Sequence, residues 1–329
     1  MTRLAGHRVA PSTIGVVTGT DHRVDVIIPT RNRPDLTIQA VDAIRGQTYV
    51  DWHLWVVDDA STDHTAAQVE KHVAGDPRVT VLRRETHCGA NPARQTALDA
   101  SRAPLVATCD SDDWWEPTKL TRQVAAYDLQ RRRTGKVGPI LCWHDTVGQD
   151  GHRKGHVMRP RLSRSWHPFL QFNTSTPLLE RSLLESVGGF ATPAPYPWTT
   201  TDHLDLFLRL TTRRSVVVVP DVLVHCCHHH GHRNSDHERT RDAADEAARL
   251  AHELEPQLRD RPATRTWMAA AVAGRYLQIG DSRTAARTIA AGVTAGGSIG
   301  FATMAAIAAH YVPWAARREV QGWLSQSRS

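Results

Sequence analysis

Over the first hundred positions, apolar residues come in short runs closed by polar ones. From Val24, VDVIIPT, apolar but for Asp25 and the closing Thr30, reads as a buried strand. The stretch Pro34 to Gln47 then carries Leu36, Ile38, Ala40, Val41 and Ile44 near helical spacing. The alternation repeats with a strand in HLWVVDDAS, a helix around Thr65 to Val73, a strand at VTVLRR, a helix around Asn91 to Ala100 and a strand at PLVATCDSDD. Strands and helices alternating at this spacing predict a parallel sheet wound with right-handed crossovers.

Between Gly135 and Gly189 the pattern is less regular. GQDGHRKG predicts a hairpin turn, and PLLERSLLESVGGF predicts a helix closed by a glycine pair. Beyond Asp236 the chain becomes rich in Ala and Arg and helical in period. There RYLQIGDSRTAARTIAAGV resembles one helix-turn-helix unit of a tetratricopeptide-like hairpin, in a single copy. The expected organisation is an extension over 1–22, an α/β domain over 23–236 and an α-helical region over 237–329.

The 329 residues, 40% hydrophobic and 22% charged, are ordinary globular usage and argue against a disordered or repeat-only chain. No run approaches the roughly 18 uncharged apolar residues of a membrane helix, and the first residues lack the apolar core of a signal peptide, so a cytoplasmic location is expected. The formal charge of +6 raises the question of nucleic acid. However, the only lysines are Lys71, Lys119, Lys136 and Lys154, and the arginines are scattered, a compositional habit that predicts no nucleic-acid partner. Five cysteines without scaffold spacing predict reduced thiols.

Ligands of such sheets bind beyond the carboxyl ends of the strands, so polar groups should collect there. Pro29, Thr30 and Arg31 close the first strand, Asp58, Asp59, Ala60 and Ser61 the second, and Asp110, Ser111, Asp112 and Asp113 the fourth. Neither GxGxxG nor GxxxxGK[ST] occurs, which disfavours a dinucleotide-binding dehydrogenase and P-loop chemistry. Carboxylates crowded as in DSDD repel one another unless a cation sits among them. Mg²⁺ or Mn²⁺ suits oxygen ligands, takes one or two carboxylates and completes its shell with water and substrate phosphates. The plainer alternative is that the acids cap the following helix, Asp113 being the best placed. The cation reading requires Asp110 and Asp112 to face an open rim and not a closed interior shared with arginines.

The combination of VDVIIPTRNRPDLTIQAVDAIRGQTYVDWHLWVVDDASTDHT, ANPARQTALDAS and PLVATCDSDDWWEPTKLTRQV resembles the nucleotide-sugar-binding half of an inverting family 2 glycosyltransferase. The resemblance runs over roughly residues 24 to 235. It implies a GT-A fold, a Rossmann-like mixed sheet flanked by helices, and transfer of a sugar from a nucleotide diphosphate donor to an acceptor hydroxyl. Position by position, it implies that Pro29, Thr30 and Arg33 border the nucleotide and that Asp58 or Asp59 bonds the base. Arg94 would serve phosphate or base, while Asp110 and Ser111 belong to the donor site. Asp110, Asp112 and His230 would hold Mn²⁺ or Mg²⁺. For Asp58 and Asp59 the local alternative is an Asx turn.

An inverting transfer needs charge stabilisation at the departing diphosphate and a general base at the incoming hydroxyl. Relatives carry an acidic pair just before an amphipathic helix, and here the stretch is PWTTTDHLDLFLRL. The acidic pair does not match cleanly, which leaves Asp202, His203 and Asp205 as candidates, Asp202 first. An N-cap with an acidic partner explains the same residues structurally. In HCCHHHGHRNS a zinc site is disfavoured, because adjacent Cys226 and Cys227 point to opposite faces of a strand.

Two readings follow. One is a metal-dependent glycosyltransferase for cell-envelope polysaccharide, glycolipid or another glycoconjugate, its acceptor unknown. The other is a nucleotide-sugar-binding scaffold whose transferase activity has decayed. A sugar-phosphate nucleotidylyltransferase lacks its Gly-rich, basic signature here. The last stretch, FATMAAIAAHYVPWAARREVQGWL, reads as ordinary helix packing, with peripheral membrane association as the alternative.

Overall fold

A computed structural model describes residues 22–148, 157, 173–190, 202–228, 241–255 and, between 269 and 296, all but 270, 271, 275 and 278. Two units divide the chain, the first built from 1–162, 168–198 and 202–231, the second from 163–167, 199–201 and 232–329.

In the first unit the chain runs β1 (Val24–Thr30), α1 (Pro34–Arg45), β2 (Trp52–Asp58), α2 (Thr65–His72), β3 (Val79–Arg83), α3 (Ala90–Ala100) and β4 (Leu105–Thr108). These are the six alternations the apolar runs predict. There follow β5 (Asp113–Trp115), α4 (Lys119–Thr134), β6 (Ile140–Gly148), β7 (Leu178–Glu180), α5 (Arg181–Ser186), α6 (Asp202–Arg213) and β8 (Val217–His228). Among the described residues eight strands form one sheet in the order β3-β2-β1-β4-β7-β6-β8-β5. The β3-β2-β1-β4 half is parallel, while β7 and β5 run antiparallel to their neighbours, so the sheet is mixed.

Both faces are covered, which is why β1 is apolar without alternation apart from Asp25, whose buried carboxylate pairs with Arg181 and accepts from Trp55 Nε1 and the Ala103 N–H. Val24, Val26 and Ile28 pack with Ala40, Val41 and Ile44 of α1 and Leu120 and Val124 of α4. Ile27 faces the other way, among Ala93 and Ala97 of α3, Leu184 of α5, and Leu206 and Leu210 of α6. Each Val, Leu and Ile among them contributes about 1.5–3 kcal/mol by leaving water.

Two local expectations are corrected. PLLERSLLESVGGF is not one helix: Leu178–Glu180 pairs with β4 as β7, and only Arg181–Ser186 is helical. The glycine pair does close it, Gly188 and Gly189 having φ of +89° and +68°. Asp113 caps no helix, because it opens β5, opposite Cys226 of β8, and α4 starts six residues later at Lys119. Of the predicted hairpin GQDGHRKG, Gly148 ends β6 and residues 149–155 lie outside the described residues.

The second unit is helical where described. Helix Arg241–Leu254 is followed by helical residues 272–274 and 276–277, a turn at Gly280 with φ +79°, and helix Ser282–Gly296. Asp281 opens the last helix, its carboxylate accepting from the Thr284 N–H at 3.0 Å, from Thr284 Oγ1 at 2.9 Å and from Arg241 Nη2 at 2.9 Å. The Thr284 N–H foremost, then Arg241, lowers this carboxyl to about 2. Ala244, Ala273, Tyr276, Ala285 and Ile289 form the small core of this unit. Among the described residues no helix is long and apolar enough to cross a membrane.

Candidate functional site

At the carboxyl edge of the parallel half, the ends of β1, β2 and β4 and the loop before α3 meet. Pro29 and Thr30 lie beside Val57 and Asp58 in the β1–β2 register. Thr30 is buried, with its hydroxyl 2.6 Å from that of Thr37 and its carbonyl accepting the Asp59 N–H at 2.9 Å. The next turns interlock. Asn32, at φ +52°, donates its N–H to Ser61 Oγ at 2.9 Å and receives the Thr62 N–H on Oδ1 at 2.8 Å. Across from it Ala60 stands at φ +58°, in the left-handed region.

Asp58 accepts a hydrogen bond from Ser61 Oγ within its own turn. Asp59 reaches across instead. Its carboxylate takes the backbone N–H groups of Cys88 at 3.1 Å and Gly89 at 2.6 Å, pairs with His87 Nδ1 at 2.6 Å and lies 3.2 Å from Arg84 Nε. With 3% of Asp59 exposed, this carboxylate fastens the loop entering α3 and presents little of itself to a ligand.

The acidic loop follows β4. Asp110 Oδ1 pairs with Arg94 Nη2 at 2.5 Å, and Asp110 Oδ2 accepts the Thr174 hydroxyl at 2.5 Å. Arg94 is buried and held by Asn91 Oδ1 at 2.6 Å. Ser111 is buried. Asp112 Oδ2 pairs with Arg33 Nη1 at 2.9 Å. Both carboxylates thus meet arginines, but their side chains are 31% and 23% exposed, which keeps them on an open rim. Asp113 is buried, accepts from Ser175 Oγ at 2.6 Å, and is pushed well above the usual carboxylate range by burial first and then by the charges of Asp112 and Asp110.

The donor set can be tested on these facts. Two partly exposed carboxylates, one residue apart and close enough to Asp113 to raise its pKa, are hard oxygen ligands of the number Mg²⁺ or Mn²⁺ usually takes from protein. Among the described residues no group of three His, Cys, Asp or Glu side chains is arranged to hold a metal, so such an ion would draw its remaining ligands from substrate and water. His230 lies outside the described residues.

Behind the loop, α4 buttresses β5. Lys119 is fully buried, donates to Gln123 Oε1 at 2.8 Å and stands 3.6 Å over the Trp115 ring, and burial lowers its ammonium pKa to about 8. Gln123 in turn donates to the carbonyls of Ile140 and Thr176. On β8, His225 bridges Asp145 at 2.6 Å and Glu116 at 2.8 Å.

For the proposed base, Asp202, His203 and Asp205 occupy the first turn of α6; their side chains lie outside the described set. This helix leads into β8, which runs parallel to β6. Through β7, antiparallel to both β6 and β4, β8 runs the same way as β4.

Sequence reasoning missed Asn173, Thr174 and Ser175. Asn173 Oδ1 accepts the Ser175 N–H at 2.6 Å, an Asx turn that presents both hydroxyls to the acidic loop. The polar run NTST before an apolar PLL was the available signal.

A family model described as glycosyl transferase family 2 matches residues 25–184. The chain is 35% identical over 105 residues to the UDP-Glc:alpha-D-GlcNAc-diphosphoundecaprenol beta-1,3-glucosyltransferase WfgD of Escherichia coli, covering 32% of this chain and 41% of that one. It is 31% identical over 105 residues to the succinoglycan biosynthesis protein ExoO of Rhizobium meliloti, covering 32% and 30%. These matches span less than half the length of either curated relative. Among solved structures, TarS of S. aureus in complex with UDP-GlcNAc superposes with a TM-score of 0.63 at 17% identity, over 91% of this chain and 86% of that one. The mannosyltransferase PcManGT of Pyrobaculum calidifontis, in complex with GDP-Man and Mn²⁺, gives 0.56 at 24% identity, over 92% and 83%. The fold is that of GT-A enzymes.

Proposed function

Through residues 25–184 the chain belongs to glycosyl transferase family 2, and from that premise we propose that it moves a sugar from a nucleotide diphosphate donor to an acceptor hydroxyl in cell-envelope polysaccharide or glycolipid synthesis. The observation that carries this reading is a pair of partly exposed carboxylates on an open rim, Asp110 and Asp112, each paired with an arginine, the buried Arg94 and the part-exposed Arg33. Two carboxylates and two guanidiniums there match a diphosphate and its divalent counter-ion charge for charge.

In this reading the divalent ion, Mn²⁺ or Mg²⁺, supplies Lewis-acid stabilisation of the leaving diphosphate, and Asp110 and Asp112 hold it. Arg94, buried and fixed by Asn91, holds Asp110 in position and brings a fixed positive charge behind the phosphate site. The loop carrying Asp58 and Asp59 borders the base, with Asp59 acting through the loop it anchors. Asp202, or His203 or Asp205 on the same turn, takes the acceptor proton as the new bond forms with inversion. The relatives' names support the donor class, since UDP-Glc, UDP-GlcNAc and GDP-Man all carry a nucleoside diphosphate.

The test is release of nucleoside diphosphate from a panel of nucleotide sugars, with and without Mn²⁺. Mn²⁺-dependent release by the wild type, lost in Asp112→Ala, is expected. Asp202→Asn should keep donor affinity and lose transfer; retained transfer would move the base to His203 or Asp205. If nucleotide binds and no donor is turned over, the chain is a binding protein and the transferase reading falls.

A further inference from the structure

Arg33 and Arg94 both hold an acidic partner, but they are built differently. Arg94 is 5% exposed and anchored at a second point, Asn91, so its guanidinium is part of the scaffold. The Arg33 side chain is 24% exposed and meets Asp112 through one N–H at 2.9 Å. Its backbone, by contrast, is pinned: the N–H donates to Thr65 Oγ1 at 3.0 Å, and the carbonyl accepts from the Thr37 N–H at 3.1 Å and from Thr37 Oγ1 at 2.7 Å. The loop therefore stays in place whatever the guanidinium does. Only the side chain is free to exchange.

We infer that Arg33 is a positioning residue that acts as an internal counter-cation, competing with the divalent ion for Asp112 and passing to the diphosphate when the ion displaces it. The inference rests on the reading of the site given above. A divalent ion held by Asp112 would compete with the guanidinium for that carboxylate's charge and so loosen or evict it. The evicted fork stays within a side chain's length of the carboxylate, where the incoming phosphates bring the next negative charge. Arg33 thus opposes the ion alone and favours the ion together with nucleotide. That makes the two ligands cooperative with no change in backbone.

The sign of the effect is the test. An ordinary metal-site variant binds the metal more weakly, whereas Arg33→Ala should bind Mn²⁺ alone roughly two- to fivefold more tightly, the range a part-exposed ion pair is worth. The same variant should bind UDP and GDP at saturating Mn²⁺ about tenfold more weakly, as loss of a charge-assisted contact predicts. Arg33→Lys, which keeps a cation without the fork, should lie between wild type and Ala in both. Mn²⁺ binding is read from the free-ion electron paramagnetic resonance signal and nucleotide binding by calorimetry, with melting temperature checking the fold. Unchanged or weaker Mn²⁺ binding by Arg33→Ala, with binding still lost in Asp112→Ala, overturns this inference and leaves the metal reading standing. Equal Mn²⁺ binding by wild type and Asp112→Ala overturns both.

Discussion

Ser175 donates its hydroxyl proton to Asp113 Oδ2 at 2.6 Å while accepting the Asp110 backbone N–H at 2.8 Å, so one oxygen joins both ends of the acidic loop. Asp113 is buried, and removing its partner leaves a desolvated acceptor. Ser175→Ala is expected to lose about 1–3 kcal/mol of stability, measured by urea denaturation. Asp112→Ala, at a part-exposed pair, should lose less than about 1 kcal/mol. An inverted order would show that the bridge does not hold the loop.

Asp59 offers a second contrast. Its carboxylate satisfies two backbone N–H groups and His87 in a buried place, so Asp59→Ala should cost about 3 kcal/mol by orphaning those donors. Hydrogen exchange at Cys88 and Gly89 reads the effect directly. Protection unchanged at both would contradict the anchoring role.

Stability should also depend on His144. Burial lowers its pKa from 6.5 to about 4, so between these values the unfolded chain binds the proton and the folded chain does not. The stability is present above pH 6.5 and is lost as pH falls toward 4, by about 3 kcal/mol at 1.4 kcal/mol for each unit. His144→Phe should flatten that limb of a denaturation-versus-pH curve, and an unaltered slope would assign the acid loss to other groups.

Gly138 sits where a side chain has no room. A Cβ there would come within 2.0 Å of the Ser215 carbonyl oxygen, where the separate segments leading into the paired strands β6 and β8 run close together. Gly138→Ala should therefore destabilise by about 1–3 kcal/mol or more. A melting temperature equal to wild type would mean that the backbone yields without cost.

The long elements were legible because burial on two faces leaves a nearly unbroken apolar signature, as in β1 but for Asp25, and one-sided burial leaves a helical one, as in α1. The short strands were not. β7 and β5 have three residues each, too few for a period, and their state is decided by β4 and β8. Asp113 therefore looked like a cap. For the site, strand ends rich in acid pointed to the rim, and the GT-A resemblance to the family. The pairings that shape the rim join residues far apart: Arg33 to Asp112 across 79 positions and Thr174 to Asp110 across 64. No local pattern encodes which arginine finds which carboxylate, nor that Asp59 would spend itself on the loop before α3.

The interlock of Asn32 with Ser61 and Thr62 bears on anyone hoping to retune donor choice by loop exchange. The segments 30–33 and 58–65 constitute a single graft. Transplanting one without its mate would strand amide protons against a foreign neighbour, and a chimera that fails for that reason would say nothing about which nucleoside the parent prefers.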